Sequence, residues 1–102
     1  MVATLPDGRR IAFVDVHAYD PASGQWSNVI HGAGAPPDWA PMVGRFTDGV
    51  GEFHQVVDGP NGTRVRVRHV WDDITATSAR FQQAYSADGA SWEVNWVMRL
   101  TR

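Results

Sequence analysis

The chain has 102 residues, of which 43% are hydrophobic and 20% charged, and its formal net charge is −2. This composition is typical of a single globular domain and gives no basic field for a nucleic-acid partner. The absence of cysteine excludes disulfides and thiolate chemistry, and we find neither an apolar run of ~20 residues for a membrane span nor a secretion signal, so we expect a cytoplasmic protein.

Seven runs rich in β-branched and aromatic residues follow one another along the chain: Arg10–Tyr19, Gln25–His31, Pro41–Thr47, Val50–Val57, Thr63–Trp71, Ala79–Ser86 and Trp92–Thr101. Turn-forming clusters separate them, at Pro6–Gly8, Asp20–Gly24, Gly32–Pro37, Asp48–Gly49, Asp58–Gly62 and Asp88–Gly89. The pattern predicts an all-β, antiparallel up-and-down meander of about seven strands. Because long strands in a meander cover their edges by closing, we expect one β-barrel or half-barrel domain over residues 1–102.

The last two runs form the clearest hairpin, with Asp88-Gly89 as its turn. Alternation places Phe81, Gln83 and Tyr85 on one face of the first strand. The same rule places five apolar side chains on one face after the turn, namely Trp92, Val94, Trp96, Met98 and Leu100.

Three motifs in this order resemble a known family: Tyr19–Trp26 (YDPASGQW), Trp71–Thr75 (WDDIT) and Tyr85–Glu93 (YSADGASWE), continued through Met98–Arg102. They are similar to an uncharacterised bacterial family of lipocalin-like, or calycin-like, β-barrel proteins known only as a domain of unknown function. The likeness covers residues 9–102 and implies a small closed barrel around a ligand-sized cavity. It supplies no catalytic residues. All nine basic residues are arginine, which we interpret as the codon bias of a GC-rich bacterial genome.

Relative to that family, the chain lacks the N-terminal strands. Seven strands leave the barrel incomplete, and an uncovered edge strand would template aggregation. We therefore expect a homodimer, paired edge to edge or with each chain completing the barrel of the other.

Strand alternation gives one set of side chains for the predicted lumen, mostly aromatic with a few polar groups: Phe13, Asp15, His17, Tyr19, Trp26, Asn28, Ile30, Phe53, Gln55, Val65, Val67, His69, Trp71, Phe81, Gln83, Tyr85, Trp92, Val94, Trp96 and Met98. Apolar walls with scattered hydrogen-bonding groups are typical of small-molecule pockets. We expect a hydrophobic or aromatic ligand, bound by seven residues: Tyr19, Asn28, Trp39, Gln55, Trp71, Tyr85 and Trp96. Trp39 lies in the loop at the predicted barrel mouth. The alternative is a structural or protein-interaction domain whose aromatic residues simply fill the barrel.

Four histidines lie in four different predicted strands, and two of them, His17 and His69, belong to the luminal set. Either could act as a general base, with Asp15 or Tyr85 as its partner, in an isomerase- or cyclase-type enzyme. The other two, His31 and His54, fall on the opposite parity, and no metal-binding spacing is present. We therefore predict no metal site and no cofactor.

Three arginines alternate with two valines in the fifth run, which puts Arg64, Arg66 and Arg68 on one strand face. The first interpretation is a solvent-facing strand whose arginines pair with Glu52 or Glu93. The second is an anion-binding patch for a carboxylate or phosphate.

Overall fold

The computed structural model describes residues 2–5, 7–36 and 38–101 and is all-β. Parts of two predicted turns, Pro6 and Pro37, and the predicted domain ends, Met1 and Arg102, lie outside these residues. The strands are β1 (Val2–Thr4), β2 (Arg10–Asp20), β3 (Gln25–Gly32), β4 (Met42–Thr47), β5 (Val50–Asp58), β6 (Arg64–Asp72), β7 (Ser78–Ser86) and β8 (Glu93–Thr101). One 3₁₀ turn, Pro60–Gly62, lies between β5 and β6. Within the described ranges, we find no helix with the length and apolarity that a membrane span requires.

The predicted all-β antiparallel meander is confirmed. The seven predicted runs correspond to β2 through β8, and each predicted strand end lies within one residue of the observed end. The additional strand β1 is short and was not predicted. It pairs with the start of β2, where Ala3 lies opposite Ile11.

The chain forms two compact units, Met1–Pro41 and Met42–Arg102. In the first unit, β2 pairs antiparallel with both β1 and β3. The turn between β2 and β3 is fixed by Asp20, whose carboxylate accepts hydrogen bonds from the Ala22 N–H at 2.9 Å and the Ser23 hydroxyl at 2.8 Å. The resulting register sets His17 opposite Asn28 and Tyr19 opposite Trp26, so these four side chains share one face.

In the second unit, β4 to β8 form an antiparallel meander in which each strand pairs with the next. The register gathers one face that we call the aromatic face: Phe53, Gln55, Val65, Val67, His69, Trp71, Phe81, Gln83, Tyr85, Trp96 and Met98. Phe53 and Phe81 are fully buried. The opposite face, which we call the arginine face, comprises Glu52, His54, Asp58, Arg64, Arg66, Arg68, Asp72, Arg80, Ala84 and Arg99.

A β-bulge in β8 corrects one sequence prediction. Gln83 is opposite Trp96, but the next residue of β7, Ala84, is opposite Val94, so Asn95 is the extra residue. Trp96 and Met98 therefore stay on the aromatic face, whereas Val94 is moved to the other. Trp92 is also displaced, since its ring packs against Arg68 and His54 of the arginine face. The prediction of one continuous apolar face from Trp92 to Leu100 is wrong.

Candidate functional site

Three polar side chains of the first unit form a hydrogen-bonded cluster that we call the polar triad: Asp15, His17 and Asn28. Asp15 and His17 are two residues apart on β2, and the β2–β3 register sets Asn28 directly opposite His17. Asn28 Nδ2 donates a hydrogen bond to Asp15 Oδ1. His17 Nε2 lies 3.1 Å from Asp15 Oδ2 and 3.3 Å from Asn28 Nδ2.

The triad is buried at one end and accessible at the other. The Asp15 side chain is 5% exposed, and the His17 side chain is 31% exposed. Asn28 is buried as well. A buried carboxylate is costly without hydrogen-bond partners, and here both of its oxygens have one. The buried pair therefore holds His17 in place, while the His17 ring extends toward solvent.

The contacts also assign the nitrogen atoms of His17. A carboxylate oxygen accepts a hydrogen bond more strongly than a neutral group does, so the proton on Nε2 points to Asp15 Oδ2. The 3.3 Å approach of Asn28 Nδ2 is then a packing contact. The contact with Asp15 therefore fixes the orientation of the imidazole ring.

An aromatic pair lies next to the triad on the same face. Tyr19 and Trp26 are opposite each other in the register, one step along from His17 and Asn28, and their ring centres are 5.0 Å apart with the planes tilted by 46°. Tyr19 is half-exposed, so the pair offers aromatic surface beside a hydrogen-bonding imidazole.

The second predicted catalytic residue, His69, lies in a different environment in the second unit. His69 is only 6% exposed. Its Nε2 lies 2.9 Å from Gln83 Oε1, and Gln83 Nε2 in turn donates to Asn95 Oδ1 at 3.1 Å, so His69 Nε2 donates its proton to the Gln83 oxygen. The partner is thus a neutral amide. Neither Asp15 nor Tyr85 is the hydrogen-bond partner that we find on this ring nitrogen.

His69 packs on the ring of Phe81, which itself contacts two tryptophans. The Phe81 centroid lies 4.8 Å from the His69 centroid, and Phe81 also contacts Trp71 at 5.0 Å and Trp96 at 5.4 Å. Two predicted ligand-binding residues, Trp71 and Trp96, therefore pack on the same buried phenylalanine. This part of the predicted luminal set is filled by its own side chains.

The remaining predicted ligand-binding residues are Trp39 in the first unit and Gln55 and Tyr85 in the second. Trp39 is 76% exposed and packs edge to face on His31, with a centroid distance of 4.5 Å. Gln55 is half-buried on β5, opposite Val67, and Tyr85 lies opposite Val67 on the other side of β6. Tyr85 lines an open groove of about 450 Å³ together with Val65, Ser86, Ala87, Asp88, Ser91, Trp92 and Glu93.

On the arginine face, the predicted partners of the arginines differ from the observed ones. Glu52 Oε1 lies 3.1 Å from His54 Nε2, and Arg64 Nε lies 3.9 Å from Asp58 Oδ1. Within residues 38–101, neither Glu52 nor Glu93 forms an ion pair with the three arginines of β6. The prediction of those pairs is wrong, because the register sets Asp58 opposite Arg64 and His54 two residues from Glu52 on the same face.

A salt-bridge cluster closes the end of this face. Arg80 binds Asp72 through two hydrogen bonds, Nε to Oδ1 at 2.7 Å and Nη2 to Oδ2 at 2.6 Å. Asp73 has a positive φ of 48° and lies within 3.8 Å of Arg80 and 3.5 Å of Arg99. The hydrogen bond from Arg80 lowers the pKa of the Asp72 carboxyl. The Asp72-Asp73 pair thus stabilises the β6–β7 connection.

Two features of the second unit were not predicted from the sequence: the role of Asn95 and the strand face on which Trp92 lies. Asn95 orients Gln83, which holds His69, and Trp92 stacks on Arg68. The available signal was Asn95 itself, a polar residue between Val94 and Trp96 that strict alternation assigns to the solvent face. Among residues 2–5, 7–36 and 38–101, we find no grouping of three or more histidine, aspartate or glutamate side chains with the geometry of a metal site.

Comparison with known proteins gave no match: no family model, no curated protein sequence and no solved structure is similar to this chain.

Proposed function

We propose that the protein binds a small hydrophobic or aromatic molecule that carries a hydrogen-bonding group, and that the polar triad of β2 and β3 is its recognition site. The observation that carries the proposal is the buried Asp15–Asn28 pair, which holds a part-exposed His17 beside the aromatic surface of Tyr19. A few fixed polar groups within an aromatic setting are what orient a ligand in a pocket.

Burial and exposure in the triad support a binding role over a purely structural one. A buried carboxylate and a buried amide cost free energy that an apolar pair of similar shape would avoid. The contact between Asp15 and His17 fixes the orientation of the histidine ring. The part-exposed imidazole forms a hydrogen bond with a hydroxyl or amide of the ligand, and the Tyr19 ring covers an aromatic portion.

Titration with the neutral probe N-phenyl-1-naphthylamine tests the proposal, with probe emission and intrinsic tryptophan emission as readouts. We expect saturable binding, and we expect His17→Gln to weaken it by about tenfold, the equivalent of one hydrogen bond of ~1.4 kcal/mol. His54→Gln is the matched control, since His54 is also held by a carboxylate, Glu52.

The outcomes separate cleanly. An unchanged affinity in His54→Gln together with a loss in His17→Gln supports the site. No saturable response from the probe or from a panel of neutral aromatic ketones and phenols contradicts the binding function, and equal losses in both variants contradict the assignment to the triad.

A second candidate, an isomerase- or cyclase-type enzyme, draws on the same Asp15–His17 contact of 3.1 Å. The carboxylate of Asp15 orients the His17 imidazole, which would act as the general base that abstracts a proton next to a ligand carbonyl. Exchange of the α-protons of aromatic ketones in D₂O, followed by ¹H NMR, should be catalysed by the wild-type chain and abolished in His17→Ala. Equal exchange rates in both would exclude this mechanism.

We also propose that two copies associate, in a calycin-like arrangement within the bacterial cytoplasm. Support comes from β8, the last strand of the second unit, where Val94 and Val97 are both exposed. Exposed apolar side chains on a terminal strand favour strand-to-strand pairing. Light scattering at micromolar concentration should give twice the mass of the chain, and a monomer would contradict the association.

A further inference from the structure

Among the described residues, two of the three arginines on β6 form no ion pair with a carboxylate. Arg66 and Arg68 lie on the same face, separated by Val67, which places their Cα atoms roughly 7 Å apart. Within the described second unit, no carboxylate oxygen lies at ion-pair distance from either. Arg64, the third arginine, pairs with Asp58 at 3.9 Å.

Arg68 is held in place by an aromatic ring. Its guanidinium carbon lies 4.5 Å from the centre of the Trp92 ring. The Nε of Arg68 is buried, and among the described residues it has no hydrogen-bond acceptor. A buried N–H of a cation without an acceptor costs free energy. An acceptor supplied by a ligand would remove that cost.

Arg66 and His54 flank the stacked guanidinium. Arg66 runs along the tip of the β7–β8 hairpin, where a Cβ placed on Gly89 would lie 3.1 Å from Arg66 Nε. His54 is opposite Arg68 in the register, and its ring centre lies 5.8 Å from that of Trp92. Arg66, Arg68 and His54 therefore occupy neighbouring positions on the arginine face.

Among the described residues, the nearby carboxylates form no ion pair with Arg66 or Arg68. Glu52 contacts His54 Nε2 at 3.1 Å. Asp88 accepts the backbone N–H groups of Ser91 at 2.9 Å and Ala90 at 2.8 Å, and these bonds lower its pKa. Glu93 lies opposite Tyr85, which belongs to the aromatic face. The positive charge of Arg66 and Arg68 is therefore not neutralised locally.

We propose that Arg66 and Arg68, flanked by His54, bind an oxyanion, the phosphate or carboxylate group of a small molecule. The guanidinium fork matches both groups, and the stack on Trp92 fixes the plane of one fork in advance. This site lies on the second unit and is independent of the polar triad, so it adds an anionic ligand to the neutral one proposed above.

NMR of the arginine Nε–H groups tests the proposal on the full chain. Inorganic phosphate and, separately, benzoate are titrated at constant ionic strength. We expect saturable shifts of the Arg66 and Arg68 signals with at least one probe and no saturable shift for Arg64. Arg68→Gln should lower the affinity for the responding probe by about tenfold, as expected for the loss of a charge-assisted bidentate contact.

Matched variants keep the test decisive. Arg64→Gln changes the same residue type on the same face and should leave the affinity unchanged. Arg66→Gln serves as a second test that leaves the Trp92 stack intact. Linear shifts with both probes, or an equal loss in Arg64→Gln, would overturn the site. A response to only one probe supports it and identifies phosphate or carboxylate.

Discussion

His17 and His69 lie on strands of the same kind, yet their surroundings differ in two respects. His17 contacts a carboxylate, and its side chain is 31% exposed. His69 contacts the neutral amide of Gln83, and as a residue it is 6% exposed among aromatic rings. A histidine that binds a ligand or transfers a proton needs access and a fixed orientation, and only His17 has both. The comparison separates a candidate recognition site in the first unit from a packing role in the second.

Removal of the phenylalanine ring that packs on His69 should have the largest effect on stability. Phe81 is 1% exposed and contacts His69, Trp71 and Trp96. We expect Phe81→Ala to lower the free energy of unfolding by about 3–5 kcal/mol, the cost of a large buried cavity. Urea denaturation measures it.

Val97→Ala is the control, because Val97 is 54% exposed in the strand next to Phe81. It should change stability by less than about 1 kcal/mol. A small effect of Phe81→Ala would mean that the aromatic face is not packed, and the second unit would then return as a candidate for an open ligand cavity.

The next prediction compares the two histidines directly. His69→Ala leaves a cavity and removes the donor to Gln83 Oε1, so we expect a loss of roughly 2–3 kcal/mol. His17→Ala removes a part-exposed ring and leaves Asp15 Oδ2 without its His17 partner, while Asn28 still donates to Oδ1, so we expect a smaller loss of about 1–2 kcal/mol. Urea denaturation of both variants in one buffer shows which of them loses more stability. A larger loss in His17→Ala than in His69→Ala would reverse our assignment of roles.

The sequence predicts the strands of both regions well for a local reason. Turn chemistry and side-chain alternation act over a few residues, so Asp20–Gly24 and Asp88-Gly89 set the strand ends, and Asp15 and His17 share a face by parity. The pairing of His17 with Asp15 follows from the same parity.

What the sequence does not predict depends on contacts between strands. The bulge at Asn95 moves Val94 and Trp92 off the aromatic face, and strict alternation has no means to show one extra residue. The Arg68–Trp92 stack follows from that bulge, since an alternating β8 would place Trp92 with Trp96. Exposure distinguishes His17 from His69, and exposure is set by packing rather than by parity.

The smallest predicted effect concerns Asp72, a carboxylate held by a cation, in contrast to Asp15, which is held by Asn28 and His17. The hydrogen bond from Arg80 lowers the pKa of Asp72 below its usual value of 3.8 in the folded chain. A lowered folded pKa adds stability that is fully present above the unfolded pKa and is lost as pH falls through the folded pKa.

Arg80→Gln should therefore be less stable than wild type at neutral pH, and the difference should shrink as the pH falls below the usual value of 3.8 for Asp72. Thermal unfolding between pH 7 and pH 2 measures the difference. Arg64→Gln removes a long contact of 3.9 Å to an exposed Asp58 and should show little pH-dependent change. A constant difference between Arg80→Gln and wild type over the whole range would mean that Arg80 stabilises the β6–β7 end by packing alone.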